Sequence, residues 1–217
     1  MLELLKSLAN GTVSGYNLSI LVKKEILAWF SEVLRENAKR NGVVMKNNIV
    51  LIGMPGAGKS TLGVILAKEL GYQFLDSDLL IQKREKRLLK EILEQDGVDG
   101  FLRIESEVNA GLQAERSVIA TGGSVVYGED AMNHLREIGI VIYLKLPYKN
   151  LTRRLGNLHN RGVVLRDGQT LRDLYEERSV LYEKYADIVV DESGRDIEGT
   201  LALVEDALRE QRCFTKN

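Results

Sequence analysis

One stretch limits what this chain can fold into more than any other: Gly53-Met54-Pro55-Gly56-Ala57-Gly58-Lys59-Ser60-Thr61. It has the spacing G-x-x-x-x-G-K-[ST], follows the β-branched run Asn48 to Ile52, and opens a helical stretch that ends near Gly71. A strand, a glycine-rich turn and a helix in that order aim backbone N–H groups and the positive end of a helix at one spot, where a phosphate can sit. Gly53, Gly56, Ala57, Gly58, Lys59, Ser60 and Thr61 form this cradle. A side chain at Gly58 would obstruct the approach of phosphate to the backbone. Lys59 can reach the outer phosphates as a point charge, and the Ser60 hydroxyl can coordinate magnesium. Because pattern, preceding strand and following helix agree, a nucleoside triphosphate site explains the segment better than a chance glycine-rich turn. Binding alone leaves kinase, GTPase, motor ATPase and switch as open classes.

The rest of the chain supplies a frame for such a loop. The runs Asn48 to Ile52, Tyr72 to Leu75, Ser117 to Thr121, Ile140 to Leu144 and Asp187 to Val190 read as strands, with helical periodicity between them. Strands as apolar as Ile49-Val50-Leu51-Ile52 suit a sheet buried on both faces. The expected class is therefore α/β, a three-layer sandwich around a parallel sheet of about five strands, closed by a helix over Ile197 to Arg212. This domain takes residues 45–217. Residues 1–44 read as a separate helical extension, with Leu18, Val22, Ile26, Trp29 and Val33 on one face of a helix from Asn17 to about Arg40. That stripe must be buried against the main domain, in self-association, or on a membrane or partner surface.

Composition narrows the partners. Thirty Lys and Arg against 31 Asp and Glu leave a formal charge of -1, so no global field draws in nucleic acid. The single cysteine, Cys213, excludes an internal disulfide and fits a reducing, cytoplasmic setting, and no apolar run is long enough to span a bilayer. His134 and His159 have no metal-ligand spacing. A local basic site is still compatible with this charge balance.

The run Phe74-Leu75-Asp76-Ser77-Asp78 ends a strand with two carboxylates at i and i+2. Either could cap the helix beginning near Leu79. Ligands of α/β sheets also gather at the carboxyl ends of strands, so the pair is placed to serve magnesium and a substrate hydroxyl. Asp78 is the candidate to orient the hydroxyl and accept its proton, with Asp76 nearer the metal.

Taken together, the loop GMPGAGKST, the acidic FLDSD, the helix segment FLRIESEV, the turn ATGGSVV, the basic RRLGNLHNR and EERSVLYEKYAD resemble the shikimate kinase family in order and approximate spacing, over about residues 46 to 212. The resemblance implies an ATP- and magnesium-dependent P-loop kinase that converts shikimate to shikimate 3-phosphate in aromatic amino acid biosynthesis. It implies that Asp78 meets the substrate hydroxyls as catalytic base and that Asp76 helps hold magnesium. Gly122 and Gly123 would let backbone approach the substrate, Arg154 would lie against the adenine, Arg161 would reach the transferring phosphate from a lid over Gly156 to Gly168, and Arg178 would bind the substrate carboxylate.

The departures bear on the acceptor. Where the family ordinarily carries a second carboxylate-binding arginine, this chain has Leu102, and Arg103 points about 100° further round the helix. Glu105, that arginine's usual partner, is expected to turn to Arg178. Ser124 stands in place of a third glycine, and Gly162 in place of a proline. Two other readings follow: the same chemistry on a different hydroxylated small molecule, or a nucleotide-binding regulatory module working through residues 1–44.

Overall fold

The computed structural model describes residues 46–155, 166 and 168–214 of the 217. The helices expected in residues 1–44, the lid residue Arg161 and Gly162 lie outside the described residues. Five parallel strands form one sheet: β1 (Asn48–Ile52), β2 (Gln73–Asp76), β3 (Ser117–Ala120), β4 (Gly139–Lys145) and β5 (Ile188–Asp191), in the order β2-β3-β1-β4-β5. Every residue of β1 is buried, as expected of the central strand of a doubly covered sheet.

Between the strands run α1 (Lys59–Leu70), α2 (Ser77–Glu85), α3 (Leu89–Ala110), a 3-10 turn (Val125–Tyr127), α4 (Glu129–Ile138), α5 (Tyr148–Leu155) and α6 (Leu171–Tyr185), and α7 (Ile197–Phe214) closes the domain. The crossover from β1 to β2 moves across the sheet in one direction and those from β3 to β4 and β4 to β5 in the other. Right-handed connections therefore put α1 on one face and α4 and α6 on the opposite one. The packing agrees: α7 contacts α1, while α3 contacts α4. The result is the three-layer α/β sandwich read from the sequence.

Two details of these elements have local causes. Tyr72 leaves β2 because its N–H caps α1, donating to Ala67 O at 2.8 Å beside the left-handed Gly71, and the strand instead extends to Asp76, paired with Ala120. Helix α3 is broken at Gly97, whose φ of 70° and ψ of -175° no helix contains. The break separates a short leading helix from the segment carrying Phe101 to Ala110. Phe101 and Ile104 of that second segment meet Ile81 of α2 and Ile92 of the leading helix in a small separate core, with Leu102 packed against it.

The strand order also fixes where a ligand can go. Chain leaving β1 turns to one side of the sheet and chain leaving β3 to the other, so a crevice opens between their carboxyl ends. The glycine-rich loop borders that crevice from β1, and Thr121-Gly122-Gly123 borders it from β3.

Candidate active site

At the β1 side, the loop turns through three glycines with positive φ, Gly53 at 146°, Gly56 at 82° and Gly58 at 89°. Gly58 is the residue before α1, and the nearest protein atom to a Cβ there would be Ile197 Cδ1 at 4.0 Å. Its constraint is thus the left-handed backbone together with open space for a ligand, not crowding by protein. Lys59 is buried, and its ammonium donates to Gly53 O at 2.8 Å and to Met54 O at 3.1 Å. Burial pulls its pKa down from 10.5 to about 8, against the opposing charge of Asp78.

The two carboxylates of the β2 end divide the work. Asp76 holds an extended φ and caps α2, its Oδ1 accepting the Asp78 N–H at 3.0 Å, while its Oδ2 accepts the Ser60 hydroxyl at 2.8 Å. A hydroxyl and a carboxylate oxygen side by side at a phosphate loop fit a small hard cation, which is commonly held by one or two carboxylates plus substrate phosphates. Among the described residues no cluster of three or more metal-ligating side chains exists, so such a cation would draw its other ligands from nucleotide and water. Asp78 is left uncapped and faces the crevice, its pKa raised by burial and by Asp76, with Lys59 acting the other way. Thr61 is exposed in the first turn of α1, and Ala57 is buried in the loop.

Across the crevice, Gly122 and Gly123 are packed closely by the protein's own side chains. A Cβ on Gly122 would overlap Glu105 Oε1 and sit 3.0 Å from Asp78 Oδ1, and one on Gly123 would sit 2.8 Å from Pro55 and 3.2 Å from Arg178 Nη1. This two-residue step therefore runs from the acidic end of the site to the basic end. Ser77, fully buried, fixes it by accepting the Gly122 N–H at 3.1 Å, and the Tyr182 hydroxyl donates to Gly123 O. Arg178 is buried on α6, its Nε donating to the Tyr127 hydroxyl at 3.3 Å and its guanidinium 5.2 Å from that ring's centre. Arg103, by contrast, is solvent-exposed and lies 3.8 Å from Glu107, so it takes no part here.

Glu105 corrects one expectation. It is 1% exposed, yet neither carboxylate oxygen accepts a hydrogen bond of normal geometry, so the expected pair with Arg178 does not form. Burial lifts its pKa from 4.5 to about 7, and the Asp78 charge adds to the rise; the nearby Ser124 hydroxyl, Arg178 and Lys59 favour the ionised form without cancelling the burial. The folded chain thus keeps a proton that the unfolded chain releases, and this contribution to stability is lost as pH rises from about 4.5 through about 7. Glu105→Gln removes the titration. In urea denaturation the variant is expected to match the wild type near pH 5 and to be more stable by on the order of 2 to 3 kcal/mol at pH 8. Identical pH dependence in the two proteins would overturn this assignment.

Four contributors escaped the sequence reading: Ser77, Tyr127, Tyr182 and Glu192. Glu192, 3% exposed just beyond β5, accepts from Arg154 Nη1 at 3.1 Å, and the same nitrogen donates to Gly56 O at 3.2 Å. Arg154 is thereby pinned to the outer edge of the phosphate loop. Of the four, only Tyr182 carried a signal, its i,i+4 spacing from Arg178 on one helix face.

Comparison with known proteins agrees with this geometry. The family model described as shikimate kinase matches residues 55–209. The shikimate kinase of Methylococcus capsulatus is 41% identical over 149 residues, covering 67% of this chain and 83% of the relative, and that of Thiobacillus denitrificans is 38% identical over 158 residues, covering 71% and 86%. Among solved structures, the shikimate kinase from Acinetobacter baumannii in complex with shikimate superposes with a TM-score of 0.68 at 30% identity, covering 82% of this chain and 99% of that one. The enzyme from Aquifex aeolicus superposes with a TM-score of 0.63 at 29% identity, covering 76% and 98%. With a phosphate loop that runs into the matched span, and a paired-aspartate strand end and a Gly-Gly step leading to a buried arginine inside it, the chain belongs to the shikimate kinase family.

Proposed function

We propose that this chain transfers the γ-phosphoryl group of ATP to a hydroxyl of shikimate, with magnesium, giving shikimate 3-phosphate for aromatic amino acid biosynthesis. The observation that carries the reading is the Gly122–Gly123 step, which has Asp78 at one end and Arg178 at the other. An acceptor lying along it would offer an alcohol to the aspartate and an anionic group to the arginine. A shikimate complex of the Acinetobacter baumannii relative supports the same acceptor.

In this reading the acceptor oxygen forms a bond to the γ-phosphorus while the bond from that phosphorus to the bridging oxygen of ADP breaks. The hydroxyl proton passes to Asp78, whose raised pKa makes it a stronger base than an exposed aspartate. Lys59 leaves its two loop carbonyls for the phosphates, and Arg161 adds charge from the lid. Ser60 and Asp76 would hold magnesium, which when bound neutralises charge on the phosphate oxygens. Arg154, fixed by Glu192, would lie against the adenine. A cytoplasmic setting accords with the single cysteine and with ATP as donor. No helix among the described residues is long and apolar enough to cross a membrane.

A coupled assay of ADP release tests the function. ADP is expected only when shikimate and magnesium are both present. Because Leu102 offers no charge to an acceptor, the assay is run beside other polyols, sugar acids and hydroxy acids. Strong turnover of one of these with none on shikimate would reject shikimate as the acceptor.

A further inference from the structure

Next to Arg178 the structure contains a second cation that the sequence reading did not single out. A narrow cavity of about 10 Å³, room for a single water or a small polar group, is lined by Leu102, Tyr127, Arg166, Arg178, Gln169 and Leu174, with Val98 at its edge. Two guanidinium groups flank the Tyr127 ring, that of Arg178 at 5.2 Å and that of Arg166 at 5.8 Å from its centre. Among the described residues no carboxylate lines the cavity. Arg166 forms no salt bridge among the described residues; Glu177 lies beside the Tyr127 hydroxyl and the buried Glu105 lies near Arg178. Of the other described lining residues, Leu102, Leu174 and Val98 are aliphatic and Gln169 carries a neutral amide.

The backbone of Arg166 is held in place although the residue is exposed. Its N–H donates to Gln169 Oε1 at 3.2 Å, its carbonyl accepts the Gln169 N–H at 3.0 Å, and Gln169 Nε2 donates to Glu177 on α6 at 2.8 Å. The following residue pair, Thr170 and Asp173, closes a reciprocal cap at the start of α6. Arg166 is therefore tied to the same helix that carries Arg178, and its position does not depend on Leu102 or on α3.

We infer that Arg166 is a specificity-determining residue, supplying with Arg178 the second guanidinium for the carboxylate of the acceptor where Leu102 supplies none. The inference rests on the proposed function and names a contact within it. Two guanidinium groups around one small, aliphatic-walled cavity lower the cost of bringing in a planar anion, since each can present paired N–H donors to a carboxylate. The cavity is too small for the ring of the acceptor. It takes the terminal group, while the ring lies along Gly122–Gly123 with its hydroxyls toward Asp78.

Steady-state kinetics with shikimate and with its uncharged methyl ester, at saturating ATP, test this on the full chain and on Arg166→Gln. The ratio of kcat/KM for acid over ester is expected to fall roughly tenfold in the variant, through KM more than kcat, the modest figure reflecting a charge that solvent can reach. Arg166→Lys should recover part of the ratio, and Leu102→Arg added to Arg166→Gln should restore it by refilling the cavity with charge from the other side. An unchanged acid-to-ester ratio in Arg166→Gln would overturn the inference and leave the proposed function standing. Calorimetric titration of shikimate into the ADP complex reads the same contact without turnover. Tight, Arg166-dependent binding with no phosphorylation would retain the inference and remove the function. A wild-type protein that neither binds nor turns over shikimate would overturn both.

Discussion

Asp78→Asn is expected to lower kcat by about 10² to 10⁴ while the Kd for ATP stays within about twofold. The substitution keeps size and shape, and the residue 78 N–H still donates to Asp76, so the cap of α2 survives. What disappears is the group that takes the proton. In the wild type, burial and the neighbouring Asp76 raise the Asp78 pKa, so activity should climb with pH as this carboxyl ionises. The asparagine variant should show neither that limb nor its amplitude. Single-turnover phosphorylation measures the chemical step and a fluorescent nucleotide titration measures binding. A variant with wild-type kcat would show that another group accepts the proton.

Lys59→Met is the second large effect, about 10² to 10³ in kcat/KM, the usual scale for removing one preorganised charge from a transferring phosphoryl group. Methionine keeps the length of the side chain but leaves Gly53 O and Met54 O without their donor, so some loosening of the empty loop is also expected. A separate readout isolates the charge. The buried ammonium has a pKa of about 8 in the empty site, and phosphate anions arriving beside it favour the protonated form. At pH 8 to 8.5, ATP binding should therefore draw protons from solution, seen by calorimetry as a dependence of binding heat on the ionisation enthalpy of the buffer. The methionine variant should show no such uptake from this residue. Equal uptake in both proteins would place the titrating group elsewhere.

How much of this was legible beforehand depends on how far the information travels along the chain. The phosphate loop could be read outright because its strand, glycines and helix are contiguous. The Asp76–Asp78 pair was legible as a strand end with two acids, but not which acid caps the helix. That was settled by β2 running one residue further than the expected strand, since Asp76 pairs with Ala120 and keeps an extended backbone. Arg178 and Tyr182 share a helix face by spacing alone, yet the partner of Arg178, Tyr127, lies 51 residues away in a 3-10 turn with no periodicity of its own. Glu192 meets Arg154 across 38 residues, from a loop beyond the last strand. Contacts of that kind are set by the order of strands in the sheet, which hydrophobic patterning does not encode. The failure at Glu105 has another cause: pairing it with Arg178 followed from the loss of its usual arginine partner at position 102, whereas here burial itself lifts its pKa to about 7.

Asp76 joins the two halves of the reaction in a single carboxylate, one oxygen on the hydroxyl of Ser60 and the other on the backbone that carries Asp78. Replacing it would disturb the handling of ATP and the aim of the alcohol together, so a loss of activity there cannot be apportioned to either. The same coupling bears on descent. In the proposed reaction, variation at the strand end would be penalised twice over, and divergence toward new acceptors would fall on the opposite rim, at residues 102 and 166.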